Sequence, residues 1–163
     1  MRKFQVVDID GDTPYERGIR YGAQAKEKIS SGIDGYRAYF EQTTGWGWEQ
    51  VKKYAASYVP LIREQMPEIL SEAEGIAAGA GIPFEDLMVL NTRYEITKFP
   101  AEKECTTCAV LPQASEGEKT FLVKNWDYRA GILDNIVILR IKEPDGSQVI
   151  GLSEAGQLIR EGF

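Results

Sequence analysis

The two cysteines of this 163-residue chain stand three apart, in Cys105-Thr106-Thr107-Cys108. A redox pair with that spacing needs a helix N-terminus to depress the thiol pKa. The run that follows, Ala109-Val110-Leu111, reads as strand, on which residues three apart face opposite sides. A zinc site needs a second pair of ligands, and the chain holds no further cysteine and no histidine at all. Missing histidine also removes Ser-His-Asp and Cys-His catalysis and the commonest general base near neutral pH. A nucleophilic thiol here must therefore draw its base from another group. The plain alternative is one or two buried structural thiols, because free cysteine is commonly buried.

The elements that must position these residues divide into a helical first part and a strand-rich second part, with a seam near Ala101 to Cys105. Phe4 to Ile9 reads as a short strand. Thr13-Pro14-Tyr15-Glu16 predicts a helix start: Thr13 caps, Pro14 suits the first turn and Glu16 completes a capping box. That helix is expected to reach Phe40, with Ile19, Ala23, Ile29, Ile33, Tyr36 and Phe40 along its buried stripe. Gly45 and Gly47 mark a turn around Trp46. A helix is expected to resume at Trp48 or Glu49, and helical spacing runs from Tyr58 to Ala77, with a start or kink at Pro60 and at Pro67. Gly79, Gly81 and Pro83 are expected to break it, and a short helix then carries Leu87 and Leu90.

Past the seam the period changes. Thr106–Leu111 and Thr120–Trp126 read as strands around a Ser115–Glu118 turn. Ile136 to Leu139 is continuously apolar, as a strand covered on both faces would be. Pro144-Asp145-Gly146-Ser147 turns it back into Gln148–Leu152. The fold class is α+β. Asp8-Ile9-Asp10-Gly11-Asp12 imitates a calcium loop, but its glycine is misplaced and Ile19 stands where a bidentate acid is required.

Composition narrows the function classes. An apolar fraction of 43% in 163 residues suffices for an ordinary core. A net charge of −6 repels phosphate backbones, so nucleic acid is not an expected partner. No apolar run approaches the ~18–20 residues of a bilayer span, so no membrane partner is expected either. Two cysteines, and a first ten residues that carry acids and no long apolar run, point to a reducing, cytoplasmic setting.

Four short stretches carry a resemblance. Asn91-Thr92-Arg93-Tyr94-Glu95, Glu104-Cys105-Thr106-Thr107, Lys124-Asn125-Trp126-Asp127 and Ser153-Glu154-Ala155-Gly156, in that order, resemble the isopenicillin-N acyltransferase family. This family, also described as acyl-coenzyme A:6-aminopenicillanic acid acyltransferase-like, belongs to the N-terminal nucleophile hydrolases. Thr13 to Gly18 resembles its N-terminal helix motif, so the similarity covers essentially the whole chain.

The resemblance implies an αββα sandwich, of which this chain is the N-terminal part. Residues 1–104 would be a helical pro-segment, and residues 105–163 the first strands of a truncated β part. It implies self-cleavage between Glu104 and Cys105. The freed Cys105 thiol is then the nucleophile, its own α-amine the base, and Asp127 the carboxylate that orients them. Arg93 is expected either to bind a substrate carboxylate or hold the cleavage loop, or to form a helix-end salt bridge. Asn125 is a further positioning candidate, Cys108 a structural thiol, and Glu154 has no expected role. No cofactor is implied, with acyl-coenzyme A open as an acyl-donor substrate. The expected partners are a small amide or acyl substrate and, through exposed strands, a second copy of the chain. Two departures stand out: Glu104 where many relatives have glycine, and Lys124 where related bile-salt and penicillin amidases carry arginine. The rival readings are a non-catalytic α+β interaction domain and a C-x-x-C thiol protein.

Overall fold

The computed structural model describes residues 3–97 and 105–158. Strand β1 (Gln5–Ile9) is followed by helices α1 (Pro14–Thr44), α2 (Trp48–Ala56), α3 (Val59–Gln65), α4 (Pro67–Ala80), α5 (Phe84–Asn91) and α6 (Arg93–Thr97). Strands β2 (Thr106–Val110), β3 (Phe121–Asn125), β4 (Ile136–Lys142) and β5 (Gln148–Glu154) complete the described chain. The protein is α+β, helices first and antiparallel strands after. Residues 101–104 of the expected seam lie outside the described residues.

The capping box forms as its residue types dictate. Thr13 Oγ1 accepts from the Glu16 amide at 3.2 Å, and the Glu16 carboxylate accepts from the Thr13 amide at 3.0 Å. Those same hydrogen bonds, from Thr13 first, hold the Glu16 carboxyl below the ordinary range. Gly45 ends α1 in the left-handed conformation, φ 71°. Pro60 and Pro67 sit in the first turns of α3 and α4, so both prolines start helices rather than kink one.

The buried face of α1 differs from the expected stripe. Ile19 and Ala23 are exposed, while Arg17, Gly18, Tyr21, Gly22 and Ala25 are buried. The reason lies in α4. Gly18 and Gly22 face Gly75 and Gly79 so closely that a Cβ at each would land on a carbonyl oxygen of the other helix. Small residues four apart let the two backbones touch, and the face that does so need not be the most apolar one. Gly79 accordingly lies inside α4, and the helix ends at Gly81, φ 68°, instead of breaking at Gly79.

Strand β4 is the centre of one sheet, pairing parallel with β1 (Val7 opposite Leu139) and antiparallel with β5 (Leu139 opposite Gly151). Val137, Leu139 and Ile141 are buried along one face. On the other, Ile136 is buried and Ile138 half-buried, but Arg140 and Lys142 are exposed. Covering on both faces therefore holds only at the start of β4. Asp8 spends its carboxylate on the Arg140 guanidinium, in a two-pronged pair at 2.6 and 2.8 Å.

A separate antiparallel hairpin is formed by β2 and β3. Thr106, Thr107, Cys108 and Ala109 are exposed, as are Phe121, Leu122 and Val123 at 48–56%. Both cysteines are free and exposed, so the alternative of buried structural thiols is overturned. The hairpin has no layer over it among the described residues, and only packing would have buried a thiol there.

Candidate functional site

The sequence motifs converge on the turn that follows β5. Asn91, last residue of α5, donates to the Gly156 carbonyl at 2.9 Å and accepts from the Leu158 amide at 2.8 Å. From α1, the Tyr21 hydroxyl accepts from the Gly156 amide at 2.9 Å. Gly156 takes φ 88°, a conformation that disfavours side chains, and a Cβ there would crowd Leu90, Ile29 and Leu87. The turn is thus pinned from two helices.

That turn presents Glu154 to Arg93. Both are buried, at 1% and 0% exposure, with Arg93 Nε 3.6 Å from Glu154 Oε2. Tyr36 donates to the same oxygen at 3.0 Å, and Gln157 at 2.7 Å. Burial pushes the Glu154 carboxyl above its ordinary value of 4.5, while Arg93, then Tyr36 and Gln157, pull it back. Burial and the Glu154 charge push Tyr36 upward as well, and burial raises Tyr128, so both phenols hold their protons at neutral pH. Since the one O–H of Tyr36 goes to Glu154, the 3.1 Å bond between the two tyrosines must run from Tyr128 to Tyr36.

Aromatic rings close the cluster. Tyr94 lies under the Arg93 guanidinium at 4.2 Å and meets Tyr128 edge-on. Tyr128 stacks on Trp126 at an interplanar angle of 13°, and the Arg129 guanidinium lies 3.5 Å over Tyr39. Glu154 Oε1, Arg93 Nε and Nη2, and Arg129 Nη1 are buried without a hydrogen-bond partner, so charge and ring contacts carry much of the attraction.

The exposed end of the site lies on the hairpin. Thr106 opposes Asn125, so Cys105, just before β2, comes level with Trp126 just after β3. Asp127 is exposed and lies one residue further on, beyond the strand on which it was expected. Among the described residues no hydrogen bond or ion pair joins Cys105, Asn125 and Asp127. Glu104, and with it the expected scissile peptide, lies outside the described residues.

One comparison bears directly on this arrangement. Over 155 residues, 93% of the chain, the sequence is 27% identical to the acyl-coenzyme A:6-aminopenicillanic-acid-acyltransferase 40 kDa form of Emericella nidulans. The similarity is distant but nearly unbroken. The chain spans 42% of that protein's length. No family model matches the chain. Among the described residues no helix is long and apolar enough to cross a membrane.

Of the expected site residues, the structure brings Arg93 into the buried cluster and leaves Cys105, Asn125 and Asp127 at its exposed rim. The Arg93 guanidinium is wholly buried against Glu154, the helix-end ion pair among its expected roles. Sequence reasoning missed Tyr36, Tyr128, Arg129 and Gln157. Tyr36 was foreseen only as a core residue of the first helix, and the signal for the others was adjacency: Tyr128 and Arg129 directly follow Asp127, and Gln157 follows the Ser153–Gly156 motif.

Proposed function

We propose that this chain is the first part of an N-terminal nucleophile amidohydrolase or acyltransferase, acting on amide or acyl substrates through the Cys105 thiol. The observation that carries this reading is the acyltransferase similarity, which covers 93% of the chain. The exposure of Cys105 at the rim of a buried polar cluster supports it. Two steps follow from the chemistry. In the first, the Cys105 thiol adds to the Glu104 carbonyl and the Glu104–Cys105 C–N bond breaks. The thiol proton passes to the departing nitrogen, and a thioester remains until water hydrolyses it to a free carboxylate and a free thiol.

In the second step the new α-amine takes the thiol proton. Reference pKa values of ~7.7–8.0 for an α-amine and ~8.5 for a thiol make that transfer easy near neutral pH. The thiolate displaces an amine or a coenzyme A thiol from the acyl donor, the leaving group takes up the proton, and the Cys105 thioester passes its acyl group to an acceptor amine or to water. Asp127 orients the α-amine. No resident cofactor takes part, and acyl-coenzyme A enters as a donor substrate. The sandwich is completed by strands that the hairpin awaits.

The test is self-processing of the full-length protein. N-terminal sequencing should find a new terminus at Cys105, with Cys105→Ala uncut and Cys108→Ala still cut. Equal cleavage in both variants rules out this nucleophile. The 163-residue chain alone should stay uncut.

A second reading draws on the hairpin. Phe121, Leu122 and Val123 offer an exposed apolar strand with a free edge, which invites pairing with another copy. Light scattering should show concentration-dependent self-association that Val123→Lys abolishes. A monomer at all concentrations removes this reading.

A further inference from the structure

The buried cluster holds more polar chemistry than a helix–sheet contact requires. It joins α1 through Tyr36, α6 through Arg93 and β5 through Glu154, and its outermost member is Tyr128. Tyr128 directly follows Asp127 and stacks on Trp126, which lies level with Cys105 across the hairpin. Otherwise the hairpin is exposed on both faces, and its β-ladder binds only its own two strands. Among the described residues, Trp126, Tyr128 and Arg129 link its open end to the body of the protein.

We propose that Glu154 is a positioning residue: through Tyr36 and Tyr128 it holds the Trp126–Arg129 segment, and with it Asp127, beside Cys105. The proposal rests on the reading of Cys105 and Asp127 as the reacting pair. The direction of the hydrogen bonds is its physical core. A carboxylate can only accept, so Tyr36 must donate to Glu154 and Tyr128 must donate to Tyr36. The Tyr128 ring is thereby fixed in one orientation, with Trp126 stacked on it. Replacing Glu154 by Gln puts an NH2 group on the cluster, and an amide that turns its donor toward Tyr36 removes the directional lock. Asn91 and Tyr21 make the lock stiff, because they fix the turn that carries Glu154.

Fluorine NMR of chain containing 5-fluorotryptophan tests this, in a Cys108→Ala background. The three tryptophans give three signals, and Trp126→Phe assigns the relevant one. Trp46 and Trp48, packed near α2, serve as internal controls for folding. In the parent, alkylating Cys105 with iodoacetamide should shift the Trp126 signal. In Glu154→Gln and Tyr36→Phe, that signal should move toward the free-indole position and lose its response to alkylation, while Trp46 and Trp48 stay in place. Should either variant unfold, Tyr128→Phe decides, because it removes only the outermost, half-buried hydroxyl. A Trp126 signal that keeps its position and its response in Tyr128→Phe overturns the proposal. Failure of the catalytic reading would show separately, as processing that persists in Cys105→Ala.

Discussion

The α1–α4 contact and the β2–β3 hairpin are opposite solutions to the problem of placing a backbone. Between α1 and α4, four glycines let the backbones meet at their closest approach, and each backbone is held by the other. In the hairpin, large apolar side chains point outward and nothing among the described residues covers them. The first region is complete within this chain. The second is open among the described residues, and Cys105 stands just before its first strand.

The largest effect should come from breaking the complete region. Gly22→Val drives a side chain into the Ile76 carbonyl, where only backbone movement can relieve it. Such overpacking should cost at least about 3 kcal/mol and is expected to unfold much of the population, read by urea denaturation with circular dichroism. Gly35 gives the contrast within the same helix. It is exposed with open space around it, so Gly35→Ala should stabilise by about 0.5–1 kcal/mol. A loss of stability in Gly35→Ala would mean that α1 has a second close contact.

Next comes the cluster between the two regions. Arg93→Ala leaves the Glu154 charge buried and unpaired, a change that typically costs about 3–5 kcal/mol. Its pH dependence has a definite sign. The folded-state value of Glu154 lies above the ordinary 4.5, so its contribution to stability is fully present below 4.5 and is lost as pH rises through the raised value. Burial raises that value, and Arg93, then Tyr36, Gln157 and Arg129, limit the rise. Asp8 runs the other way: its hydrogen bonds from Arg140 lower it, so its contribution is present above 3.8 and fades as pH falls through the lowered value. Thermal melts of the parent and Glu154→Gln across that range should diverge only through the Glu154 window.

Smaller still is the effect of Asp127→Asn on stability, because the side chain is exposed; its melting temperature should match the parent. Turnover of the processed protein should instead fall by roughly two decades, as acid–base positions do. Parent-like activity would leave Asp127 a surface acid. The smallest change is expected in the open region, where Phe121→Ala should alter stability by no more than about 0.5 kcal/mol. A cost of several kcal/mol there would show that the hairpin is covered in solution.

This contrast also explains what the sequence could and could not reveal. Thr13, Pro14 and Glu16 act on their own neighbours, so the start of α1 was legible, as were the starts at Pro60 and Pro67 and the turn at Pro144–Ser147. Along α1, Ile29, Ile33, Tyr36 and Phe40 are buried as expected, whereas Ile19 and Ala23 were misjudged because apolar periodicity counts side chains and Gly18 and Gly22 contribute by having none. Pairing of β1 with β4 links residues far apart in sequence and leaves no local trace. Arg93 and Glu154 stood in recognisable motifs, yet charged residues are so seldom fully buried that their meeting was not foreseen. Cys105 and Asp127 were located by resemblance, and the hairpin register places them one residue out of step.

The central claim, that Cys105 is the reactive thiol, is most directly tested by acylation. The self-processed full-length protein is treated with a limiting amount of a small acyl thioester, and peptide mass mapping then locates the acyl group. Both thiols are exposed, so accessibility alone favours neither. The account predicts acyl label on Cys105, diminished in Asp127→Asn, with Cys108 left free. Label shared equally between Cys105 and Cys108, or indifferent to Asp127, would contradict it.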